Sequence, residues 1–313
     1  MAALPLRESP WGPLAVADAH VHFFSHRFFS LLVSQKAGLT LEGAAQQLDW
    51  HVPLATPEGD EAERLAAAWV QELDRHGVAK STLIASIPGD EASVTAAVRA
   101  FPERFFAYAM VNPRNWNPEA LAGVQVACLF PAMHCYSVQD DAAKGVFEWA
   151  EKNRRAVFVH CGVLSVGVRG KLGLPSPFDM RYANPIDLHA VALRHPSVPM
   201  IVPHFGAGYF REALMLADLC PNVYLDTSSS NHWVKYSEPH HLESRGDLRG
   251  VFKRALDVAG PHRLLFGTDS SFFPRGWHQA IFEEQARALY EIGLPAADAG
   301  AVFGENLLRI LTP

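Results

Sequence analysis

Eight short runs that are almost wholly apolar recur along this 313-residue chain, and stretches with helical apolar spacing stand between most of them. The runs cover residues 14–17, 78–86, 105–111, 123–130, 156–160, 198–204, 223–226 and 264–267. A strand wet on one face alternates apolar and polar residues, whereas these runs are apolar at nearly every position, so both faces are buried. The intervening segments 61–76, 92–101, 142–153, 185–194, 209–219, 247–259 and 277–292 read as helices, several with Gly or Pro punctuation at an end. Parallel strands covered by helices follow. Eight such units in one chain favour a closed α/β architecture, the (β/α)8 TIM barrel, over an open doubly wound sheet. No Gly-x-Gly-x-x-Gly follows the first run, which weighs against a dinucleotide-binding sheet. The expectation is one barrel domain over 1–313, with an aromatic and polar insertion or lid over roughly 23–57, after strand 1.

Composition narrows the partners. Hydrophobic residues make up 49% and charged residues 19%, as in ordinary globular chains, and the formal net charge is −6. No basic run or face points to nucleic acid, and no apolar stretch reaches membrane-spanning length. The first 13 residues lack the apolar centre of a secretion signal. Four cysteines, Cys128, Cys135, Cys161 and Cys220, show no Cys-x-x-Cys spacing, so neither a zinc ribbon nor a disulfide framework is expected. A reduced, cytoplasmic protein acting on a small molecule fits, and the Phe-rich chain is compatible with a homodimer.

The 15 histidines are informative because of where some of them stand. His20-Val21-His22 follows the first run, and a strand projects such a pair to one side. His160 ends the fifth run, His204 the sixth, and Asp269 follows the eighth in Phe266-Gly267-Thr268-Asp269. In a barrel every strand ends at the same face, where active sites lie. His20, His22, His160, His204 and Asp269 are therefore expected to converge. A lone His closing an apolar strand is usually a hydrogen-bonded rim residue; four strand ends of this kind at one face are harder to explain so.

Asp18-Ala19-His20-Val21-His22-Phe23, Phe158-Val159-His160-Cys161-Gly162, Pro203-His204-Phe205-Gly206 and Phe266-Gly267-Thr268-Asp269-Ser270 resemble, in order and placement, the motifs of the amidohydrolase superfamily. The branch resembled is the amidohydrolase-2, or aminocarboxymuconate-semialdehyde-decarboxylase-like, group, and the ending Phe303-Gly304-Glu305-Asn306-Leu307-Leu308-Arg309-Ile310-Leu311 is similar to its closing helix. The resemblance implies a metal-dependent hydrolase type of barrel, with His20, His22, His160 and Asp269 as metal ligands and His204 assisting catalysis. Many superfamily members carry a carboxylated Lys at the end of strand four. Here Cys128 stands about there, which favours one metal ion. A cysteine inside an apolar run is usually a small buried hydrophobe, although a ligand role for Cys128 stays open.

Three imidazoles and a carboxylate leave a coordination position for water or substrate, as in catalytic zinc sites. Zn²⁺ is the expected ion, with Mn²⁺ or another first-row ion as alternatives. The favoured reaction is hydrolysis of an ester, lactone or amide bond at a carbonyl centre, with Asp269 moving the proton and His204 stabilising the oxyanion. Related family members imply an alternative, non-oxidative decarboxylation of an aromatic or enoic acid, for which an arginine clamp on the carboxylate is expected. Arg169 and Arg181, in the loop after strand five, are the candidates. A second alternative is a barrel that binds metal or ligand without turnover. Tyr136 and His134 after strand four, and Asn231 and Trp233 after strand seven, are further rim candidates, with loop packing the competing explanation. Phe23, Phe24, Phe272 and Phe273 suggest an apolar wall. His51, His240 and His241 carry no spacing signal and read as surface residues.

Overall fold

The computed structural model describes residues 4–50, 61–229, 247–271 and 273–312. Nine parallel strands are described: β1 Val16–Asp18, β2 His22–Phe23, β3 Val78–Ala85, β4 Phe105–Val111, β5 Val126–Leu129, β6 Ala156–Val159, β7 Met200–Val202, β8 Val223–Asp226 and β9 Leu264–Leu265. They pair in the order β1-β3-β4-β5-β6-β7-β8-β9, and β2 continues the path of β1 along β3. Backbone bonds join the two ends of that path: Ala19 N donates to Phe266 O at 2.8 Å, Asp269 N to His20 O at 2.9 Å and His22 N to Ser270 O at 2.7 Å. The chain thus forms the parallel eight-stranded (β/α)8 barrel, with β1 and β2 together serving as its first strand.

Alternation along each strand builds two cores. Phe106, Tyr108 and Met110 of β4, Val126 and Cys128 of β5, and Ala156 and Phe158 of β6 fill the barrel, while the residues between them pack outward against the helices. Both sets are nearly fully buried, which is why these strands carry no polar alternation. Leu307 and Leu311, from the last helix Asn306–Leu311, close the floor of the inner core. The chain passes tightly there: a Cβ on Gly304 would lie 2.4 Å from the Ala15 carbonyl oxygen, so only glycine fits.

Two local features differ from the expectation. The sixth run stops being a strand at Val202, because Pro203 lacks the N–H a ladder needs and instead opens a 3-10 turn, Pro203–Gly206. The helix expected over 185–194 is a 3-10 turn, Pro185–Leu188, followed by the helix His189–Arg194. The region expected as an aromatic and polar insertion or lid holds two helices, His26–Val33 and Leu41–Leu48, capped by Ser25 on Phe28 N and by Thr40 on Gly43 N. Residues 51–57 of that insertion lie outside the described residues. Among the described residues no helix is long and apolar enough to cross a membrane.

Candidate metal centre

The segments after β1, β6, β7, β8 and β9 all rise at the same end of the barrel. They bring together His20, His22, His160, His204 and Asp269, which the chain spreads over 250 positions. The His20 ring lies 5.1 Å from that of His22 and 4.8 Å from that of His204, and the His204 ring lies 5.3 Å from that of His160. Below them the Phe158 ring meets His20 edge-on at 5.3 Å, and Phe130 stacks on His160 at 5.3 Å. His20, His160 and His204 are buried, while Asp269 keeps about a third of its side chain exposed at the mouth.

Proton positions follow from the partners, since a carboxylate or carbonyl oxygen only accepts. His20 Nδ1 donates to Asp226 Oδ2 at 2.7 Å. His204 Nδ1 donates to the Ser228 carbonyl at 2.9 Å. Ser86 donates its own hydroxyl to Ile84 O, so at 2.7 Å it accepts from His22 Nδ1. His20 and His22 are thereby held with Nε2 as the lone-pair atom, and both Nε2 atoms face Asp269 Oδ1, at 3.7 and 3.2 Å.

Two imidazole lone pairs and a carboxylate oxygen, all within 4.8 Å of one another, form a set of acceptors with no donor among them. Such a set repels itself unless a cation sits in it. His160 stands beside this set and not within it, and its buried Nδ1 has no hydrogen-bond partner. The donor chemistry fits a divalent ion held by nitrogen and oxygen ligands.

A proton on the imidazoles is the alternative to a cation in this set: burial alone would raise the Asp269 pKa, but a hydrogen bond from His22 and positive charge on His20, His22 and His204 drive it far below the usual carboxylate range. Burial opposes a charged His20, yet Asp226, with Asp269 and Asp18 behind it, raises the His20 pKa. Burial, then the adjoining His204 and His20, hold His160 well below its ordinary value, and burial with His20 lowers His204.

Backbone strain concentrates here. His204 (φ 57°), Phe205 (φ 49°), Ser229 (φ 49°) and Asp269 (φ 60°) are non-glycine residues in the left-handed region, each at a cost on the order of 1–3 kcal/mol. Close packing holds the arrangement. A Cβ on Gly267 would meet Asp226 Oδ1 at 2.7 Å and His20 Cβ at 3.0 Å.

Besides Ser86, the supporting residues Asp226, Ser228 and Asp18 receive no role from the sequence. Asp226 binds the Ser228 amide at 2.6 Å besides His20. Ser228 Oγ lies 2.9 Å from Nδ1 of both His20 and His204. Asp18 accepts from the His20 and Thr268 amides, the Thr268 hydroxyl and Trp277 Nε1, and burial pushes its carboxyl up to about 6. Asp226 did carry a readable signal, since it closes an apolar strand just as His160 does.

Among the described residues, the rim candidates are engaged elsewhere. Arg181 is 82% exposed and chelated by Asp179, two residues away. Arg169 holds the Pro175 carbonyl and Gln35 Oε1, tying its loop to the insertion. Tyr136 is fully buried in the outer core, between barrel and helices. His134 packs against it at 6.4 Å, its pKa lowered to about 4 by burial and Arg114. Cys128 sits inside the inner core, where burial raises its thiol pKa well above the ordinary value, and it does not join the ligand cluster. Phe24 lies 5.9 Å from His22 and stacks on Phe28, Phe23 is core, and Phe273 packs on Trp69. Asn231, Trp233, Phe272, His51, His240 and His241 lie outside the described residues.

A family model described as amidohydrolase matches residues 17–312. The chain belongs to the amidohydrolase family. Among curated proteins, this amidohydrolase is 33% identical over 92 residues to Protein fluG of Emericella nidulans, a match covering 29% of the chain and 10% of that protein's length. The 5-carboxyvanillate decarboxylase of Novosphingobium aromaticivorans, complexed with manganese and 4-hydroxy-3-methoxy-5-nitrobenzoic acid, superposes with a TM-score of 0.63 at 12% identity, covering 100% of both chains. A probable 2-pyrone-4,6-dicarboxylic acid hydrolase of Acinetobacter baumannii superposes with a TM-score of 0.59 at 12% identity, covering 95% of this chain and 99% of that one. At such identities these likenesses are of fold.

Proposed function

We propose that this amidohydrolase is a mononuclear metal-dependent hydrolase acting at a carbonyl centre of a small ester, lactone or amide. The observation that carries this reading is the donor-free cluster of His20 Nε2, His22 Nε2 and Asp269 Oδ1. His160, with its unpartnered ring nitrogen, is the fourth ligand in this reading, and nitrogen-rich ligation suits Zn²⁺, with Mn²⁺ as the alternative.

A divalent ion held there supplies Lewis acidity, which makes water a competent nucleophile near neutral pH. The protein's own groups do the rest. Asp226, Ser86 and Ser228 fix imidazole orientation, so no reorganisation accompanies reaction. Asp269, partly exposed at the mouth, takes the proton from the attacking water and returns it to the leaving group. His204 has its Nδ1 committed to Ser228 O, so proton exchange at this ring occurs at Nε2, beside the reacting carbonyl.

Placement of the arginines supports hydrolysis over decarboxylation, because Arg169 and Arg181 are both engaged elsewhere and offer no carboxylate clamp at the cluster. The aromatic surroundings support the second reading, decarboxylation of an aromatic acid, since Phe130 and Phe24 offer flat apolar faces next to His160 and His22.

Metal-loaded protein assayed against panels of esters, lactones and amides, with aromatic and enoic acids followed by CO2 release, separates them. Carbonyl-bond cleavage that is lost on chelation is the expected result. CO2 release without hydrolysis overturns it in favour of the second reading.

A further inference from the structure

The two oxygens of Asp269 live in different surroundings. Oδ1 faces His22 Nε2 at 3.2 Å and His20 Nε2 at 3.7 Å. Oδ2 lies 2.7 Å from Ser229 Oγ, and since a carboxylate only accepts, the serine hydroxyl is the donor.

We propose that Ser229 is a positioning residue that occupies Oδ2 of Asp269 and so reserves Oδ1 as the one carboxylate oxygen offered to the metal ion. This rests on the metal-centre reading above and adds a role for a residue of the loop after β8.

Both partners are held for this contact. Ser229 and Asp269 are each non-glycine residues with φ in the left-handed region, at 49° and 60°. The Asp269 amide donates to His20 O at 2.9 Å, which pins the carboxylate's backbone to the segment carrying the two histidines. The Ser228 carbonyl, one residue before, accepts from His204, so the same dipeptide orients two site side chains. Without the hydroxyl, Oδ2 would be free to swing toward the ion and the carboxylate to bind through both oxygens. That would consume the coordination position a substrate needs.

The two roles a serine could have here, hydroxyl donor or tolerable residue in a left-handed turn, separate by substitution. Ser229→Ala removes the hydroxyl and keeps the strain. Ser229→Gly removes the hydroxyl and relieves the strain. The probe is Co²⁺ added to chelator-stripped protein, because its visible absorption bands weaken as coordination number rises.

Both variants are expected to bind one Co²⁺ per chain with bands clearly weaker than wild type, and to lose kcat by at least tenfold in the Zn²⁺ form with KM within threefold. Bands and kcat of wild-type intensity in both variants would overturn the proposal. So would a glycine variant matching wild type while the alanine variant does not, since that assigns Ser229 to the backbone alone. Wild-type protein that binds no Co²⁺ would instead sink the metal centre itself.

Discussion

His20 Nδ1 and Asp226 Oδ2 stand 2.7 Å apart with both side chains almost completely buried, although 206 positions separate them in the chain. This pair fixes which nitrogen of His20 faces the cluster. Asp226→Asn keeps the shape but removes the charge and, in one of its two amide orientations, the acceptor. Metal affinity should fall about 10–100-fold with the fold retained, measured by titration calorimetry on stripped protein. Asp226→Ala leaves His20 without its buried partner and should also cost roughly 3–5 kcal/mol of stability.

The two ends of the ligand set should fail differently. His160→Ala should strip the metal and abolish turnover. Asp269→Asn should retain most of the metal yet slow kcat by about 10²–10⁴-fold, the range for loss of a proton-transfer group. Metal content by elemental analysis beside steady-state rates checks both.

Phe158 fills the barrel directly beneath His20. Phe158→Ala should destabilise by about 3–5 kcal/mol, read from urea unfolding of the metal-free protein. Because the ring also supports His20, metal affinity should fall in the same variant, whereas truncation of an outer-core residue remote from the cluster should spare it.

Acid–base behaviour should show at the insertion. Asp90 accepts from the hydroxyls of Ser25 (2.7 Å) and Ser93 (2.5 Å), and Glu61 accepts from the His26 amide at 2.5 Å, so both carboxylates sit at the start of the helix His26–Val33. Burial raises Asp90 to about 7, against the pull of the serine hydroxyls and Arg27 and with Glu91 adding repulsion. Burial raises Glu61 to about 7, with Asp90 adding repulsion while the His26 amide and Arg64 oppose it. Folded pKa values above the unfolded ones mean that the stabilisation is complete below about pH 4 and is lost as pH rises through about 7. Stability should therefore decline between about pH 4 and about pH 7, and Asp90→Asn should flatten that slope, measured as Tm against pH.

Arg181 gives a prediction of no effect. Its side chain faces solvent and is held by Asp179, so Arg181→Ala should leave kcat/KM within twofold of wild type. A loss of a hundredfold would restore the carboxylate clamp, and with it the decarboxylase reading.

The barrel was legible because its strands are buried on both faces, so their apolar runs stand out without alternation. The converging side chains were legible for a related reason. A His or Asp that closes an apolar strand is conspicuous, and a barrel aims all such positions at one face. Most partners of those side chains were not legible, Asp226 at the end of its apolar run excepted. Ser228 and Ser229 look like any loop serines, and Ser86 like the polar end of an apolar run, until the fold brings each hydroxyl within about 3 Å of a site side chain. The arginines misled because a loop's place after a strand says nothing about which local acceptor wins the side chain: Asp179 captures Arg181, and the Pro175 carbonyl captures Arg169.

The most direct test of the central claim is anomalous diffraction at the zinc edge from crystals of metal-loaded protein. The account predicts one strong peak per chain, about 2.0–2.2 Å from Nε2 of His20, Nε2 of His22 and Oδ1 of Asp269. A peak elsewhere, or none at that mouth of the barrel, would contradict it.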